Sequence, residues 1–429
     1  MDLFLGLPDD ELAGIGDNLE EDSEEDVTDA SSLAGRSSGA TSSGADFMRL
    51  EEAGGTQGLR SNIVAASSVM RVGATDGRGL SMTASDYIAA EEVLFTERPQ
   101  VVAAISSSQI HCSWCMRSLL PCPEGLPHAH LWPHTPRQRR CPSCQGVFCC
   151  ETCHRTALEC GHGRLCEARA SGELAQFERC AREQCAGLAT DADLFCASAL
   201  LALKMMAHLV VLPAAGDDAT LAGAPRVSLG PYEHLCQATG RTHVTESWAA
   251  RLYPMVRVVL KLTDAETVRL SQQLLCALLC AVASNATWIQ PVSSFADYVT
   301  ASRSLRRREE AGETLRKLEA HCAGLREAHG ERLADAHRVD QVCDEVYGVR
   351  GGGLYKLQSK INHSCTPNAR LVCGFTDATI DVVALRPIAR HEEVTISYIN
   401  PAFDRARRRS LLQAGYGFDC ECALCAQGQ

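Results

Sequence analysis

Asn362-His363-Ser364-Cys365-Thr366-Pro367-Asn368 and, further on, Tyr416-Gly417-Phe418-Asp419-Cys420-Glu421-Cys422-Ala423-Leu424-Cys425 decide how this chain folds. The second stretch carries Cys420-x-Cys422-x2-Cys425, three thiols, one short of the four ligands that close a structural zinc site. Cys365, directly after Asn362 and His363, can supply the fourth. A zinc shared in that way ties the tail to the Asn-His loop and closes a pocket between them. Between the two stretches runs Glu392-Glu393-Val394-Thr395-Ile396-Ser397-Tyr398. Singly, an Asn-His pair or a tyrosine at a strand end is more often structural than functional; the order and spacing of all three give them weight.

A second cysteine cluster lies upstream: Cys112-x2-Cys115, a gap, then Cys141-x2-Cys144-x4-Cys149-x3-Cys153-x8-His162-x3-Cys166. A Cys-x2-Cys pair at a tight turn places two thiolates on one metal without strain. Eight ligands imply two zinc ions. The gap holds His128, His130 and His134, which read as loop residues because the ligand set is already complete. Cys150 and Cys160 are surplus thiols. The simplest role for such a cluster is a staple for its neighbourhood.

Composition sets the background. The 23 cysteines of this 429-residue chain, whose Met-Asp-Leu start lacks the basic n-region of a signal peptide, point to metal in a reducing compartment, the cytoplasm or nucleus, rather than to disulfides. A net charge of −12 gives no pull towards nucleic acid or an anionic membrane. No run of about twenty apolar residues stands out as a membrane span, and Leu200–Leu212, broken by Lys204 and His208, reads as a buried helix.

Along the chain, residues 1–60 read as a disordered acidic tail, with Leu3, Phe4, Leu5 and Leu7 beside Asp9, Asp10 and Glu11 as a candidate docking motif within it. Short β-type runs punctuated by glycine fill residues 61–110, including Asp76-Gly77-Arg78-Gly79-Leu80 and Glu97-Arg98-Pro99. The cysteine cluster occupies 111–166. Helical spacing dominates 167–338, ending in a charged helix over Ser302–Arg338 that reads as a solvated face. Strand-like segments return in 339–400, at Gly353–Leu357, Ala369–Cys373, Thr379–Leu385 and Glu393–Tyr398, and 401–429 is the cysteine-bearing tail. The expected class is α+β.

The upstream cluster, with Phe148 before its fifth ligand, resembles the MYND zinc finger, and its gap is wider than most. That resemblance implies one zinc on Cys112, Cys115, Cys149 and Cys153 and another on Cys141, Cys144, His162 and Cys166. The Asn362 to Cys425 pattern resembles the SET domain and its post-SET segment. It implies a third zinc on Cys365, Cys420, Cys422 and Cys425, and S-adenosylmethionine as cofactor. By the same resemblance Arg78, Gly79 and Leu80 form the first cofactor-contacting turn, Asn362, His363 and Tyr398 contact the cofactor, and Phe418 packs on the adenosine. Tyr398 would be the principal catalytic residue, with Tyr416 lining the lysine channel. A SET domain split by a MYND finger and a helical insert is the SMYD arrangement, and this chain, which stops at Gln429, looks most like its divergent fifth branch without a C-terminal helical domain. Two departures accompany the likeness: His391 stands where a glycine often precedes Glu392, and no asparagine upstream of Gly353 declares itself as a cofactor ligand.

The implied activity is transfer of methyl groups to lysine on histone tails or another protein, ribosomal proteins included. The implied partner is a protein bearing a target lysine, with a peptide at the finger as a further partner; a monomer is expected, with no membrane and no nucleic acid. The alternative is a catalytically silent adaptor whose finger recruits peptides. A DNA-binding zinc protein conflicts with the charge and with the absence of a basic stripe.

Overall fold

The structure is a computed structural model, and it describes residues 63–66, 70–75, 79–105, 111–133, 138–184, 192–212, 229–235, 243–303, 308–333 and 339–427. The acidic tail, Arg78 and His134 lie outside the described residues. Strands β1 (Ile63–Ala66), β2 (Met70–Thr75), β3 (Gly79–Ala84), β4 (Val93–Glu97) and β5 (Val101–Ala104) come first. The cysteine-rich segment follows, with β6 (Arg139–Arg140), β7 (Val147–Phe148), α1 (Glu151–Glu159) and α2 (His162–Ser171). Then come α3 (Glu173–Glu183), α4 (Ala192–Val211), α5 (His243–Leu260), α6 (Asp264–Arg269), α7 (Gln272–Asn285), β8 (Thr287–Ile289), α8 (Ser294–Arg303), α9 (Arg308–His329) and α10 (Val339–Tyr347). The chain closes with β9 (Gly351–Leu354), β10 (Asn362–His363), β11 (Ala369–Val372), β12 (Ile380–Ala384), β13 (Thr395–Ile396), α11 (Arg405–Tyr416) and α12 (Ala423–Ala426). The α+β expectation holds.

Sequence-distant strands build the sheets. One sheet runs β1-β4-β12-β11, a second β5-β9-β8, and β10 lies parallel to β13. Everything from the finger through α10 is thus inserted between β5 and its antiparallel partner β9. Glycine is required where β9 threads between its neighbours: a Cβ at Gly351 would sit 2.4 Å from the Ala103 carbonyl oxygen, and one at Gly352 2.8 Å from the Trp288 ring. A side chain at either position cannot fit without displacing backbone or an indole.

Two cores hold these parts. Met70, Met82, Phe95, Ile361, Val382 and Ile396 fill the interior of the β-rich part. Around α4, Phe195, Leu201, Met205, Leu252, Leu274 and Leu278 pack the helices together. Helix α4 extends the expected Leu200–Leu212 run and is by length and composition long and apolar enough to cross a membrane; 78% of its most apolar 18-residue window is buried inside this fold, in keeping with the buried helix the sequence suggested. A helix apolar on all sides is what a core position selects. Lys204 and His208 within α4 find partners: Lys204 Nζ donates to the Val102 carbonyl at 2.6 Å, and His208 Nδ1 lies 2.8 Å from the Tyr232 hydroxyl.

The charged helix is α9, and one of its faces is covered. Leu318 and Cys322 are buried with Trp132, Phe295 and Tyr298, while the Glu313–Lys317 pair faces solvent. Trp132 belongs to the wide gap of the finger, so that gap is docked onto the helices; its indole Nε1 donates to the Leu120 carbonyl at 3.3 Å. The finger itself meets α4 at Gly161, whose φ is +90° and whose Cβ position would fall 2.3 Å from the Ala207 carbonyl oxygen.

Candidate active site and zinc centres

Three groups of four ligand atoms come together: Cys112, Cys115, Cys149 and Cys153; Cys141, Cys144, His162 and Cys166; and Cys365, Cys420, Cys422 and Cys425, each set lying within 4.8 Å of one another. Zn–S bonds of about 2.3 Å arranged tetrahedrally put sulfurs about 3.8 Å apart. The separations match: Cys115–Cys149 3.6 Å, Cys149–Cys153 3.4 Å, Cys141–Cys166 3.4 Å, Cys365–Cys425 3.6 Å and Cys365–Cys420 3.9 Å. His162 presents Nε2 to Cys144 Sγ at 3.6 Å. None of these thiols is joined in a disulfide, and each of the three sets could hold a zinc ion. His128 and His130 belong to none of them.

Local sequence explains how the finger ligands are delivered. Cys112 and Cys141 each begin a tight turn closed by a backbone bond, from Met116 N–H to Cys112 O at 3.0 Å and from Gln145 N–H to Cys141 O at 3.0 Å. The adjoining residues Met116 and Gln145 have φ of 61° and 57°. Helices α1 and α2 bring Cys153, His162 and Cys166 over those turns. Phe148 is fully buried between the rings of His154 and His162, with centroids 4.9 and 5.2 Å away, and fixes the orientation of the His162 imidazole.

The third cluster adjoins an aromatic box. Ring centroids of His363 and Tyr398 lie 5.3 Å apart, Tyr398 and Tyr416 4.7 Å, Tyr416 and Phe418 6.4 Å, and Phe418 and His363 6.0 Å, so the four rings close on themselves. Strand β10 delivers His363, the segment after β13 delivers Tyr398, and the end of α11 delivers Tyr416 and Phe418. The Tyr398 N–H donates to His363 Nδ1 at 3.0 Å. Burial, reinforced by the Arg408 cation, lowers His363 to about 4, so the imidazole is neutral and its remaining proton sits on Nε2, 3.3 Å from Cys365 Sγ. The Tyr398 hydroxyl donates to the Ile361 carbonyl at 2.7 Å. Around Tyr416 burial pushes the phenol up to about 12, which keeps it protonated.

Hydrogen bonds from neighbouring segments hold the Asn-His loop. Asn362 Nδ2 donates to Glu393 at 2.8 Å. Asn368, 1% exposed, accepts from Thr395 N–H at 2.8 Å and donates to the Glu393 carbonyl at 2.8 Å, stapling the two motifs the sequence presented separately. At the loop entrance, buried Glu97 accepts from the N–H groups of Leu357 and Gln358. Arg408, 3% exposed, spans 3.7 Å to Cys425 Sγ and so couples α11 to the third cluster.

Asn362, His363, Tyr398, Tyr416 and Phe418 are thus brought together. Gly79 and Leu80 open β3, whose other end bonds the 392–394 segment through Ala84 N–H to Glu392 O and Val394 N–H to Met82 O. Neither belongs to the ring cluster. Asn285, which the sequence reading did not single out, is 8% exposed, ends α7 and donates through Nδ2 to the Ala281 carbonyl of its own helix at 2.7 Å; two residues on, the Thr287 hydroxyl bonds Gln358 at 3.1 Å beside the loop. The signal was available, because Asn285 is the sole asparagine between Asn62 and Asn362. His391, where a glycine was expected, has φ +66°, the left-handed geometry that favours glycine.

Comparison with known proteins agrees with this arrangement. The SET domain family profile matches residues 79–399. Protein-lysine N-trimethyltransferase SMYD5 of Mus musculus is 25% identical over 376 residues, 81% of this chain and 84% of its own length. Histone-lysine N-methyltransferase ASHR1 of Arabidopsis thaliana is 42% identical over 85 residues, and Histone-lysine N-methyltransferase SMYD3 of Mus musculus 36% over 84. Those two matches span only 17% and 19% of the relatives' own lengths, about a fifth in each case.

Proposed function

The chain belongs to the SET-domain family and to its SET-and-MYND group, and from that premise we propose that it is an S-adenosylmethionine-dependent protein-lysine N-methyltransferase. The observation that carries this reading is the closed aromatic box of His363, Tyr398, Tyr416 and Phe418 beside a four-cysteine cluster.

Asn362, His363, Tyr398 and Phe418 would hold the cofactor, with the 78–80 turn and Asn285 as further contacts. Bound S-adenosylmethionine supplies an electrophilic methyl group. What remains for the protein is to present a neutral lysine amine in line, and alignment accounts for much of the rate. An apolar aromatic enclosure disfavours the ammonium form and so favours the nucleophile. Because the Tyr398 proton is committed to the Ile361 carbonyl, its oxygen is left as an acceptor that can orient the incoming amine. It can also accept weak C–H···O contacts. Neutral His363 keeps a second positive charge away from a cationic cofactor.

Zinc in all three clusters completes the structure: two ions staple the finger, and the third fastens α11 and the tail to the Asn-His loop. The substrate is a protein carrying a target lysine, on a histone tail or another protein, and the enzyme acts as a monomer in the cytoplasm or nucleus without binding nucleic acid or membrane. Free thiols at the twenty cysteines whose side chains are described support the reducing compartment.

The test is transfer of radiolabelled methyl from S-adenosylmethionine to fractionated histones and ribosomal proteins. Wild type should label lysine, and Tyr398→Phe should lower the rate on the order of 10²-fold with cofactor binding retained. Cofactor binding without transfer to any lysine would favour the adaptor reading instead.

A further inference from the structure

Away from the aromatic box, a cleft of ≈ 370 Å³ lies between the finger, β5 and helices α2, α3 and α4. That volume is within the usual range for small-molecule sites, roughly 300–1,000 Å³. Its walls are apolar at Met116, Leu174, Leu200 and Leu203. Lys204 also lines it, and lines a second, smaller cavity against Trp114 and Tyr232 as well.

Lys204 is the anomaly. It interrupts the most apolar run of a core helix, where removing an ammonium from water is costly unless something answers its charge. Among the described residues its one hydrogen bond is to the Val102 carbonyl, and no carboxylate pairs with it. An ammonium has three donors, so capacity remains. Arg169, exposed at the cleft, likewise pairs with no carboxylate among the described residues. Glu178, which also lines the cleft, and Asp193 pair with Arg182 at 3.8 and 2.8 Å, so among the described residues Lys204 and Arg169 are the cleft cations with no carboxylate at salt-bridge distance; Glu178 and Cys112, the latter lining the cleft beside His162, act on Lys204 only at longer range. Desolvation lowers Lys204 to about 8, and an arriving anion would reverse that.

We propose that this cleft is a binding site for a carboxylate with a small apolar body, in which the carboxylate completes the hydrogen bonding of Lys204 with Arg169 at the mouth and the apolar part rests on Leu174, Leu200 and Leu203. The site shares no residue with the aromatic box and does not depend on the methyl-transfer reading. A free organic acid and the C-terminal carboxylate of a peptide offer the same chemistry.

Calorimetric titration of the full-length zinc-loaded protein with hexanoate and with hexanamide tests this. Hexanoate should bind saturably and at least ~tenfold more tightly than the amide, since a charge-assisted bond to a buried cation is lost with the amide. Lys204→Met should weaken hexanoate at least ~tenfold, and Arg169→Ala to a smaller extent. A leucine-ended dipeptide, compared as acid and as carboxamide, identifies the source: tighter binding than hexanoate points to a chain end, weaker binding to a free acid. Equal affinity for acid and amide, no saturation by about 10 mM, or undiminished binding by folded Lys204→Met overturns the proposal. If Lys204→Met fails to fold, the wild-type acid–amide comparison still decides.

Discussion

Glu97 is the place where pH should act on this fold. It ends β4, is 0% exposed, and offers one oxygen to Leu357 N–H at 2.8 Å and the other to Gln358 N–H at 2.9 Å. Burial outweighs those bonds and lifts the carboxyl from 4.5 to about 7. Since the folded value lies above the unfolded one, the folded chain holds a proton that the unfolded chain releases, and stability falls as pH rises through that window. The full titration is worth ~3 kcal/mol, of which about 1.4 kcal/mol falls between pH 6 and 8. In Glu97→Gln a single amide oxygen remains to accept, so one N–H loses its partner at a cost of about 1–3 kcal/mol, and the titration disappears. Guanidinium unfolding of both zinc-loaded proteins at steps from pH 6 to 8 should show the wild-type advantage shrinking by about 1.4 kcal/mol. Zinc-ligand titration is common to both chains and cancels in the difference. A gap that stays constant or widens with pH would refute the assignment of a buried, proton-holding Glu97.

Other outcomes follow from the same structure. Cys422→Ser should reduce bound zinc from three ions to two per chain, by elemental analysis, and abolish S-adenosylmethionine binding while the finger keeps its metal; retention of three ions with normal binding would contradict the shared third site. His391→Gly relieves a left-handed side-chain conformation and should raise stability by about 0.5–1 kcal/mol, read from the denaturant midpoint. Gly161→Ala meets both a φ of +90° and the Ala207 carbonyl oxygen, so a loss of about 3 kcal/mol or more is expected, and a folded variant with unchanged midpoint would show that finger and α4 do not meet there.

Legibility tracked the range of the forces involved. Zinc-ligand sets can be read from sequence because a metal fixes residue type and short spacing together, as at Cys112-x2-Cys115 and Cys420-x-Cys422-x2-Cys425. Partnerships between distant strands are a different matter: β10 and β13 are two residues each, too short for any periodicity, and their parallel pairing is flanked by the bonds of Asn368 and Asn362 to Glu393. The bond from Thr287 to Gln358, which sets the end of α7 beside the Asn-His loop, joins residues 71 apart, and no local pattern announces it. The charged helix α9 showed its solvent face in its composition, but the buried side at Leu318 and Cys322 answers to aromatic residues, Trp132, Phe295 and Tyr298, that arrive from other segments.

The insertion of the finger and helices between β5 and β9 has a consequence in time. Val101 pairs with Leu354 and Ala104 with Gly351, so the central sheet waits for two pieces of chain made far apart to meet. Closing so long a loop is slow when the intervening chain is loose and faster when it has already condensed. The finger and the helices lie wholly between the two strands in sequence and can condense first, drawing the strand ends together on the core that Val101, Ala103 and Leu354 share with α4. Metal supply during synthesis then governs more than local order: a chain starved of zinc arrives at β9 with its partner strand still untethered, and pulse-labelled hydrogen exchange should show α4 and α7 protected before β5 and β9.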